Sequence, residues 1–559
     1  MVTRFIKLLS REFSSLHQAA FLIAGASLVA QLLGLMRDRL LAGTFGAGSE
    51  LDVYYLAFRI PDLVYVSFAS FVSVTVLIPF ILKKQESGGA VAVKKFLSNT
   101  LTVFILAMVL VSAGLFLLMP YLAPVIAPGL SQSSLAEMIL LSRILLLSPF
   151  FLGLSNLLGS VTQSYRKFFA YTLSPVIYNL GIIFGLVFLY PSWGLIGLVW
   201  GVVLGAIGHM LIQVPSVAEL KVLPRLIWSI NWPEIGRVIL ISLPRTITLS
   251  AHQLSLLVLV ALGSLMASGS VAIFNLAFNL QSFPLVIIGV SYSVAAFPTL
   301  TALYSNGEMS LFVSKIEVAV RHIFFWSLPA IVLFLILRAH IVRVILGSGE
   351  FSWQDTRLTA AVLALFVVSV VAQGLVQLFV RAYYAAGQTL KPLVVNTMSS
   401  ILIIFLALGL VYSFDNLPQF KLMIETLLRV KGLEGTSILM LPLAYSIGLI
   451  VNATIYWLIF SRNFKQLNFS TYLSIGRSCL SAIATGLATY LSLWFMAPLI
   501  PTETFLIVFS QGLIAGLVGI MAGLVVLVLI KSEELKQVVT SVKKKIWPKP
   551  ILAEAEDLI

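Results

Sequence analysis

Apolar runs long enough to cross a bilayer recur from Ala19 to Ile530, and they constrain this chain more than anything else in it. Roughly 20 consecutive apolar residues span the hydrocarbon core as a helix. Inside that core the backbone has no water to bond to, so a crossing segment must satisfy its own N–H and C=O groups. A helix does so within itself, whereas a membrane barrel would show short alternating strands. The chain has 559 residues, 59% hydrophobic and 10% charged; a soluble domain carries about 25% charge. The fold class is therefore all-α and polytopic. About fourteen spans can be laid along it, at 19–45, 50–82, 96–119, 135–164, 168–190, 194–217, 234–265, 269–302, 310–340, 355–386, 391–413, 436–461, 470–496 and 504–530.

Net charge is +14. In a soluble protein this would suggest nucleic acid, but its distribution here argues for topology instead. Arg4, Lys7 and Arg11 precede the first span, and Lys83, Lys84, Lys94 and Lys95 follow the second. Arg166, Lys167, Lys221, Arg225, Arg462 and Lys465 fall on the same side, as do the tail lysines from Lys531 to Lys549. The opposite connections at 120–134, 190–194, 266–270 and 497–503 contain no Lys or Arg. The positive-inside rule then puts both termini in the cytoplasm, and some of this charge is free to meet anionic lipid head groups. Two opposite-side segments break the pattern. One holds Arg338, Arg343 and Arg357; the other, 414–435, holds Lys421, Arg429 and Lys431 in an amphipathic stretch. That stretch reads either as a helix on the outer membrane surface or as a cap that touches substrate. The basic N-terminus lacks the pattern of a cleaved signal peptide. The single cysteine, Cys479, excludes an internal disulfide.

The chain also repeats itself at an offset of about 220 residues. YYLAFR at 54–59 recurs as FNLAFN at 274–279, and TLSPVIYN at 172–179 as TLKPLVVN at 389–396. Both copies enter the membrane from the same side, so this is a parallel duplication of six-helix units, as in transporters whose two lobes rock around a shared site. The divisions are a cytoplasmic amphipathic N-terminus at 1–18, a first lobe at 19–217 and a cytoplasmic linker at 218–233. A second lobe at 234–461, two extra spans at 462–530 and a cytoplasmic tail at 531–559 follow, the tail being a short helix that frays.

Charge at membrane depth is costly and usually faces a wet cavity. The stretch Gly34–Phe80 carries Arg37, Asp38, Arg39, Glu50, Asp52, Arg59 and Asp62. Arg37 either lines a polar chamber or snorkels to the interface. Gly34 and the glycines that follow would let its helix bend, exposing backbone to a cavity. Arg59 and Asp62 flank Ile60-Pro61 and are three apart, close enough for a structural ion pair; alternatively Arg59 is a cavity cation. Guanidinium suits diphosphate because its fork donates two parallel hydrogen bonds. Arg245 and Arg143 are either interfacial or cavity residues. Asn275, Asn279 and Gln281 form a polar stripe that serves either helix packing or a site. No HExxH and no GxxxxGK[ST] occurs, and the five histidines show no metal-ligand spacing. An enzyme is not expected, nor a cofactor or resident metal.

These residues resemble the MurJ/MviN family, the lipid II flippases of peptidoglycan synthesis, within the multidrug/oligosaccharidyl-lipid/polysaccharide exporter superfamily. The resemblance rests on LGLMRDRLLAGTFGAGSELDVYYLAFRIPDL at 33–63, the proline-asparagine element at 175–179, and LMASGSVAIFNLAFNLQSFPLVIIGVSYSVAAFPTL at 265–300. ILGSGEFSWQDTRLTAAVLAL at 345–365 and RAYYAAGQTLKP at 381–392 extend it. It implies two six-helix lobes around a central cationic cavity, alternating access, and a groove for the lipid tail along the two extra spans. Arg37 and Asp38 match the arginine-aspartate pair of the family's first helix, Asp52 its aspartate at the start of the second, and Arg59 its basic position there.

Four positions depart from the family pattern. Gln31 stands six residues before Arg37 where the family often has arginine, and Tyr65 and Val66 replace basic residues. Asn279 falls where the eighth helix has a cavity arginine. Either Arg245 or Arg143 compensates, or another polyprenyl-linked glycan is moved.

The expected function is translocation of undecaprenyl-diphosphate-linked glycopeptide from inner to outer leaflet of the bacterial cytoplasmic membrane. Arg37, Arg59, Arg245 and Asn279 would bind it, and Asp38 and Asp52 would position arginines or form an outer gate. Gly34, Pro61, Pro175, Pro284 and Pro392 are the expected helix breaks or hinges. The coupling ion, sodium or proton, stays open. Membrane lipids and other cell-wall synthesis proteins are the remaining partners, and a monomer is expected. A cation-coupled multidrug exporter and a non-transporting scaffold are the alternatives.

Overall fold

A computed structural model describes residues 16–69, 71–72, 74–464, 469–498 and 504–546. Residues 1–15 of the expected N-terminal segment and 547–559 of the expected tail lie outside these. The described residues are almost entirely helical, with no strand among them. The helices are α1 Leu16–Phe45, α2 Ser49–Ala57, α3 Arg59–Ala69, α4 Val74–Ile126, α5 Gln132–Leu145, α6 Leu147–Ser164 and α7 Phe168–Phe184. A π-helical stretch, Gly185–Leu189, leads into α8 Tyr190–Leu211, α9 Val214–Glu219, α10 Trp232–Ser264 and α11 Ser270–Pro284. A second π-helical stretch, Leu285–Val290, leads into α12 Ser291–Ser305 and α13 Met309–Leu346. The rest are α14 Trp353–Val367, α15 Val370–Ala385, α16 Leu390–Asn416, α17 Pro418–Leu428, α18 Met440–Asn463, α19 Phe469–Met496, α20 Phe505–Leu529 and α21 Glu533–Ile546.

By length and apolarity, ten helices among the described residues can cross a membrane, or eleven if the bent pair α14 and α15 counts as one span. That count takes each helix once and does not contradict the expected fourteen. α2 and α3 are short and charged, so neither qualifies alone. Two of the ten, Val76–Ile126 and Phe168–Glu219, have 51 and 52 residues, about 75 Å of helix against a core of about 30 Å. Each is interrupted by non-helical backbone, the first at Gly88 and Gly89, the second at Gly194. Gly89 (φ 59°) and Gly194 (φ 58°) occupy the left-handed region that suits glycine.

The prolines act differently from one another. Pro61 lies in the first turn of α3 just after Phe58, where the helix from α2 is interrupted. Lacking an N–H, it leaves the Ala57 carbonyl without its helical donor; the Ser142 hydroxyl donates to that carbonyl instead, at 3.0 Å. Pro284 closes α11 and is followed by the wider π-helical turn. Pro175 sits inside a continuous α7. Pro392 lies in the first turn of α16, a position where the missing N–H costs no helical bond. Gly34 breaks nothing: α1 runs unbroken from Leu16 to Phe45, because nothing at that position draws the backbone out of its own hydrogen bonds.

The helices pack into two units. The first holds the described residues up to Phe283, with Val342–Phe366 and Gln388–Asn452. Within it α7 and α8 approach through glycine. A Cβ on Gly181 would collide with the backbone of Gly205, and one on Gly201 with Gly185, the close backbone approach that small residues permit between membrane helices. The amphipathic stretch 414–435 forms α17, which buries Ile424, Glu425 and Leu428. Its end is tied down by Arg357, which donates to the Arg429 carbonyl at 2.7 Å.

The second unit holds Pro284–Ile341, Val367–Gly387 and the described residues from Ala453. Here α19 lays Ser481, Thr485 and Thr489 against Gly519 and Gly523 of α20, and the Ser481 hydroxyl donates to the Gly523 carbonyl at 3.1 Å. α21 is held at its first turn. Ser474 and Ser532 donate to the Glu534 carboxylate at 2.7 and 2.8 Å, and Arg321 lies 4.0 Å away. Burial by itself would raise the pKa of this group, but the two hydroxyls and Arg321 bring it below the usual glutamate range. The anchoring it provides should therefore persist down through that range and be lost only as the pH falls below it. Amide exchange across α21 should be slow at neutral pH, faster in strong acid, and already fast at neutral pH in Glu534→Gln. Equal exchange in the two proteins would remove this anchor.

Candidate functional site

The first unit holds a half-open cavity of about 260 Å³ lined by charged, aromatic and amide side chains. Arg37 comes from α1, Tyr54 and Tyr55 from α2, Arg59 and Asp62 from α3, Tyr178 from α7, Gln253 from α10, and Asn275 and Asn279 from α11.

Three hydrogen-bonded groups organise it. The Arg37 guanidinium pairs with the adjacent Asp38 carboxylate, Nη2 to Oδ1 at 2.7 Å and Nε to Oδ1 at 2.9 Å. Its remaining Nη1 donates to Asn179 Oδ1 at 3.2 Å. Asn179 is itself oriented, since its Nδ2 donates to the Pro175 carbonyl one turn earlier at 3.0 Å. The other oxygen of Asp38 accepts from Asn279 Nδ2 at 3.1 Å. Asp38 is only 2% exposed, so both of its oxygens have partners, as a buried carboxylate requires. Arg59 donates from Nη2 to Asn275 Oδ1, and Asn275 is oriented by donating to the Val271 carbonyl at 2.7 Å. The Arg59 Nε and the Tyr55 hydroxyl are buried without a hydrogen-bond partner among the described residues. Each arginine is thus aimed by an asparagine and Arg59 keeps donor capacity to spare.

Asp52 works elsewhere. Its carboxylate accepts from the backbone N–H of Gly269 and Ala272, both at 2.7 Å. These are donors at the start of α11 that the helix itself cannot satisfy. A carboxylate there also meets the positive end of the helix dipole. The expectation that Asp52 positions an arginine is corrected: it caps a distant helix, bonding Gly269 217 residues further along the chain. Arg39 is the complementary case. It donates to the Val344 and Ile345 carbonyls at 2.6 and 3.2 Å, at the end of α13, where a cation is favourable.

Arg59 and Asp62 form no ion pair within 4.0 Å among the described residues, although they share one helix face. Arg245, expected as a substrate contact, is half-buried on α10 and is not among the cavity-lining residues. Arg143 is likewise elsewhere: its Nε donates to the Phe116 carbonyl at 3.0 Å and its guanidinium lies 4.5 Å from the Phe116 ring. Neither supplies the cation that Asn279 lacks. Gly34 stands beside the site, 3.9 Å from Asn179 Oδ1 as measured from a Cβ built there. Sequence reasoning did not choose Asn179, Tyr178 or Gln253 as site residues. The repeated TLxPxxxN element carried a signal for the first; for the other two there was none.

Replacing Asp52 with alanine leaves two helix-end donors without a partner and should destabilise the protein by about 1–2 kcal/mol. A lowered thermal transition of the purified protein checks this; an unchanged one would show that the cap contributes nothing.

Comparison with known proteins adds an independent line. Residues 41–510 match the model of a family described as lipid II flippase MurJ. A probable lipid II flippase MurJ of Buchnera aphidicola subsp. Schizaphis graminum is 27% identical over 398 residues, 70% of this chain and 77% of that protein. The probable lipid II flippase MurJ of Rickettsia prowazekii is 27% identical over 438 residues, 74% and 86%. Among solved structures, lipid II flippase MurJ in an inward closed conformation superposes with a TM-score of 0.72 at 21% identity, covering 91% of this chain and 98% of that one. An inward-facing multidrug resistance MATE family transporter gives 0.62 at 13% identity, covering 80% and 95%. At these identities the two structures speak for the fold.

Proposed function

Since the chain belongs to the lipid II flippase MurJ family, we propose that its cavity takes up the diphosphate of lipid II and carries the head group from the inner to the outer leaflet by alternating access. The protein is a multi-pass protein of the bacterial inner membrane; we place both termini in the cytoplasm from the distribution of lysine and arginine. The observation that carries the reading is the pair Arg37 and Arg59, from two different helices, lining one cavity and each oriented by an asparagine. Guanidinium groups donate paired hydrogen bonds to phosphate oxygens. Fixing them before the ligand arrives reduces the ordering cost of binding.

Arg59, with donors to spare, meets the diphosphate first. Arg37 follows by exchanging Asp38 for a phosphate oxygen. Asp38 is then left with Asn279 alone, so occupation of the cavity weakens the link between α1 and α11. Asp52 joins the start of α2 to the start of α11 and so forms a second link between the same regions, which we read as an outer gate that must open. In this conformation about 260 Å³ falls below the roughly 300–1,000 Å³ of sites for drug-sized ligands. It suits the diphosphate end and requires widening before a glycopeptide can follow. The two six-helix lobes inferred from the repeat, 19–217 and 234–461, would supply that movement, with the lipid tail running along α19 and α20.

We read the chain as a transporter and not an enzyme, acting as a monomer alongside other cell-wall synthesis proteins. Asn279 supports a second reading, a flippase for another polyprenyl-diphosphate-linked glycan, because it puts an amide where the family often has a cation. Expression in a bacterium depleted of its own lipid II flippase separates the two. Growth with lipid II export supports the first reading; lysis despite good membrane expression supports the second. In the same assay Arg37→Ala and Arg59→Ala should each lose transport at normal abundance. Full transport by Arg37→Ala would remove the cavity from the mechanism, and a loss of Arg59→Ala protein without loss of specific activity would make Arg59 structural.

A further inference from the structure

The cavity is balanced in charge, and a diphosphate lipid by itself would upset that balance. Arg37 and Arg59 stand against Asp38 and Asp62, so the four groups sum formally to zero. Three of them have hydrogen-bonded partners: Asp38 holds Arg37 and Asn279, and Arg59 holds Asn275. Asp62 differs. It lines the cavity and is half-buried, and among the described residues no hydrogen bond or ion pair engages its carboxylate. Its backbone N–H is already used, donating to the Phe58 carbonyl at 2.8 Å; the open valence at the cavity is that of the side chain. A carboxylate so placed inside a membrane bundle is costly unless something neutralises it.

A diphosphate esterified at both ends carries a negative charge on each phosphate. Placed in a neutral cavity, it leaves two uncompensated charges beside the Asp62 carboxylate. A proton on Asp62 would remove only half of that excess, whereas one divalent cation removes it all. Mg²⁺ is typically held by one or two carboxylates together with substrate phosphates, keeping several waters, and not by a cage built wholly of protein. The described residues contain no group of three or more His, Cys, Asp or Glu that could hold a metal, and a site completed by substrate phosphate needs none. Asp62 stands one helical turn from Arg59 on α3. Phosphates gripped by Arg59 therefore lie next to the one carboxylate in the cavity that is free to ligate.

Resting on the reading that the cavity binds a diphosphate lipid, we propose that Asp62 is the protein ligand of a divalent cation of the Mg²⁺ class that enters bound to the diphosphate. Bare diphosphate is repelled by Asp62; the metal-loaded form is bridged to it. Occupation of the cavity thereby becomes conditional on the cation, and release of the cation in the other compartment assists release of the head group.

The test is equilibrium binding of fluorescent lipid II to the purified full chain in nanodiscs, at fixed pH and sodium, in millimolar Mg²⁺ or in EDTA. Wild-type affinity should rise by about tenfold with Mg²⁺, and Asp62→Asn should bind alike in both. With Mn²⁺ in place of Mg²⁺, the wild-type protein should immobilise the ion in its spin-resonance spectrum only when lipid II is present, and beyond what lipid II in protein-free nanodiscs does. That measurement decides the matter even where Asp62→Asn fails to fold. Equal wild-type binding in Mg²⁺ and EDTA, or a full Mg²⁺ response in Asp62→Asn, overturns the cation site. If Arg59→Gln then still abolishes binding, the diphosphate reading stands without it. Tightening by sodium or by acid instead of Mg²⁺, lost in Asp62→Asn, overturns the divalent assignment in favour of a monovalent ion. No lipid II binding by the wild-type protein under any cation overturns both readings.

Discussion

Asp38 holds its surroundings together because both of its oxygens are engaged inside an apolar bundle. One takes the Arg37 guanidinium and the other takes Asn279. Leaving a carboxylate in such a place half satisfied is costly, since removing one partner of a buried ion pair costs roughly 3–5 kcal/mol. From this constraint the site follows. Arg37 is brought beside α7, where Asn179 Oδ1 accepts from its Nη1. α11 is drawn toward α1 by its amide. A cavity with two guanidinium groups then becomes possible, because each positive charge has an oriented partner before any ligand arrives.

The same electrostatic logic operates at the helix ends. Asp52 sits at the start of α11 and Arg39 at the end of α13. Each meets the partial charge of opposite sign that an unpaired helix terminus presents. Close glycine contacts accompany these caps. A Cβ on Gly43 would press on Ser348, one on Gly349 on the Gly43 carbonyl, and one on Gly269 on the Ala47 carbonyl. Backbone approaches backbone there because no side chain stands between. Charges that would be liabilities in lipid are spent on backbone groups that would otherwise be unsatisfied.

Some of this was legible in the sequence because it is local. Spans announce themselves by unbroken apolar length. Arg37, Asp38 and Arg59 stood out because charge in such runs is expensive. The repeat of TLxPxxxN pointed to Asn179 and Asn396, and the structure separates their roles: the first holds Arg37, while the second accepts from Asn452 at 3.1 Å. Arg245 and Arg143 were not separable from cavity residues by sequence, because an arginine one turn from an interface and one facing a chamber look alike in a single chain. Length and apolarity alone do not fix the number of crossings, because two of the ten helices that qualify among the described residues are broken at glycines and long enough to cross twice.

The sequence by itself determined that the chain is a helical membrane protein, that short motifs recur along it at an offset of about 220 residues, and that charge is concentrated near the first two spans. These properties depend on composition and on periodicity within a few turns. Tertiary structure alone decided which charge meets which partner. Arg37 found Asn179 142 residues away, Asp52 found the start of α11, and Asp62 was left without a partner among the described residues. A hydrogen bond forms only within about 3 Å and along a narrow direction. Such geometry is set by the depth and rotation of one helix against another, which no local pattern encodes.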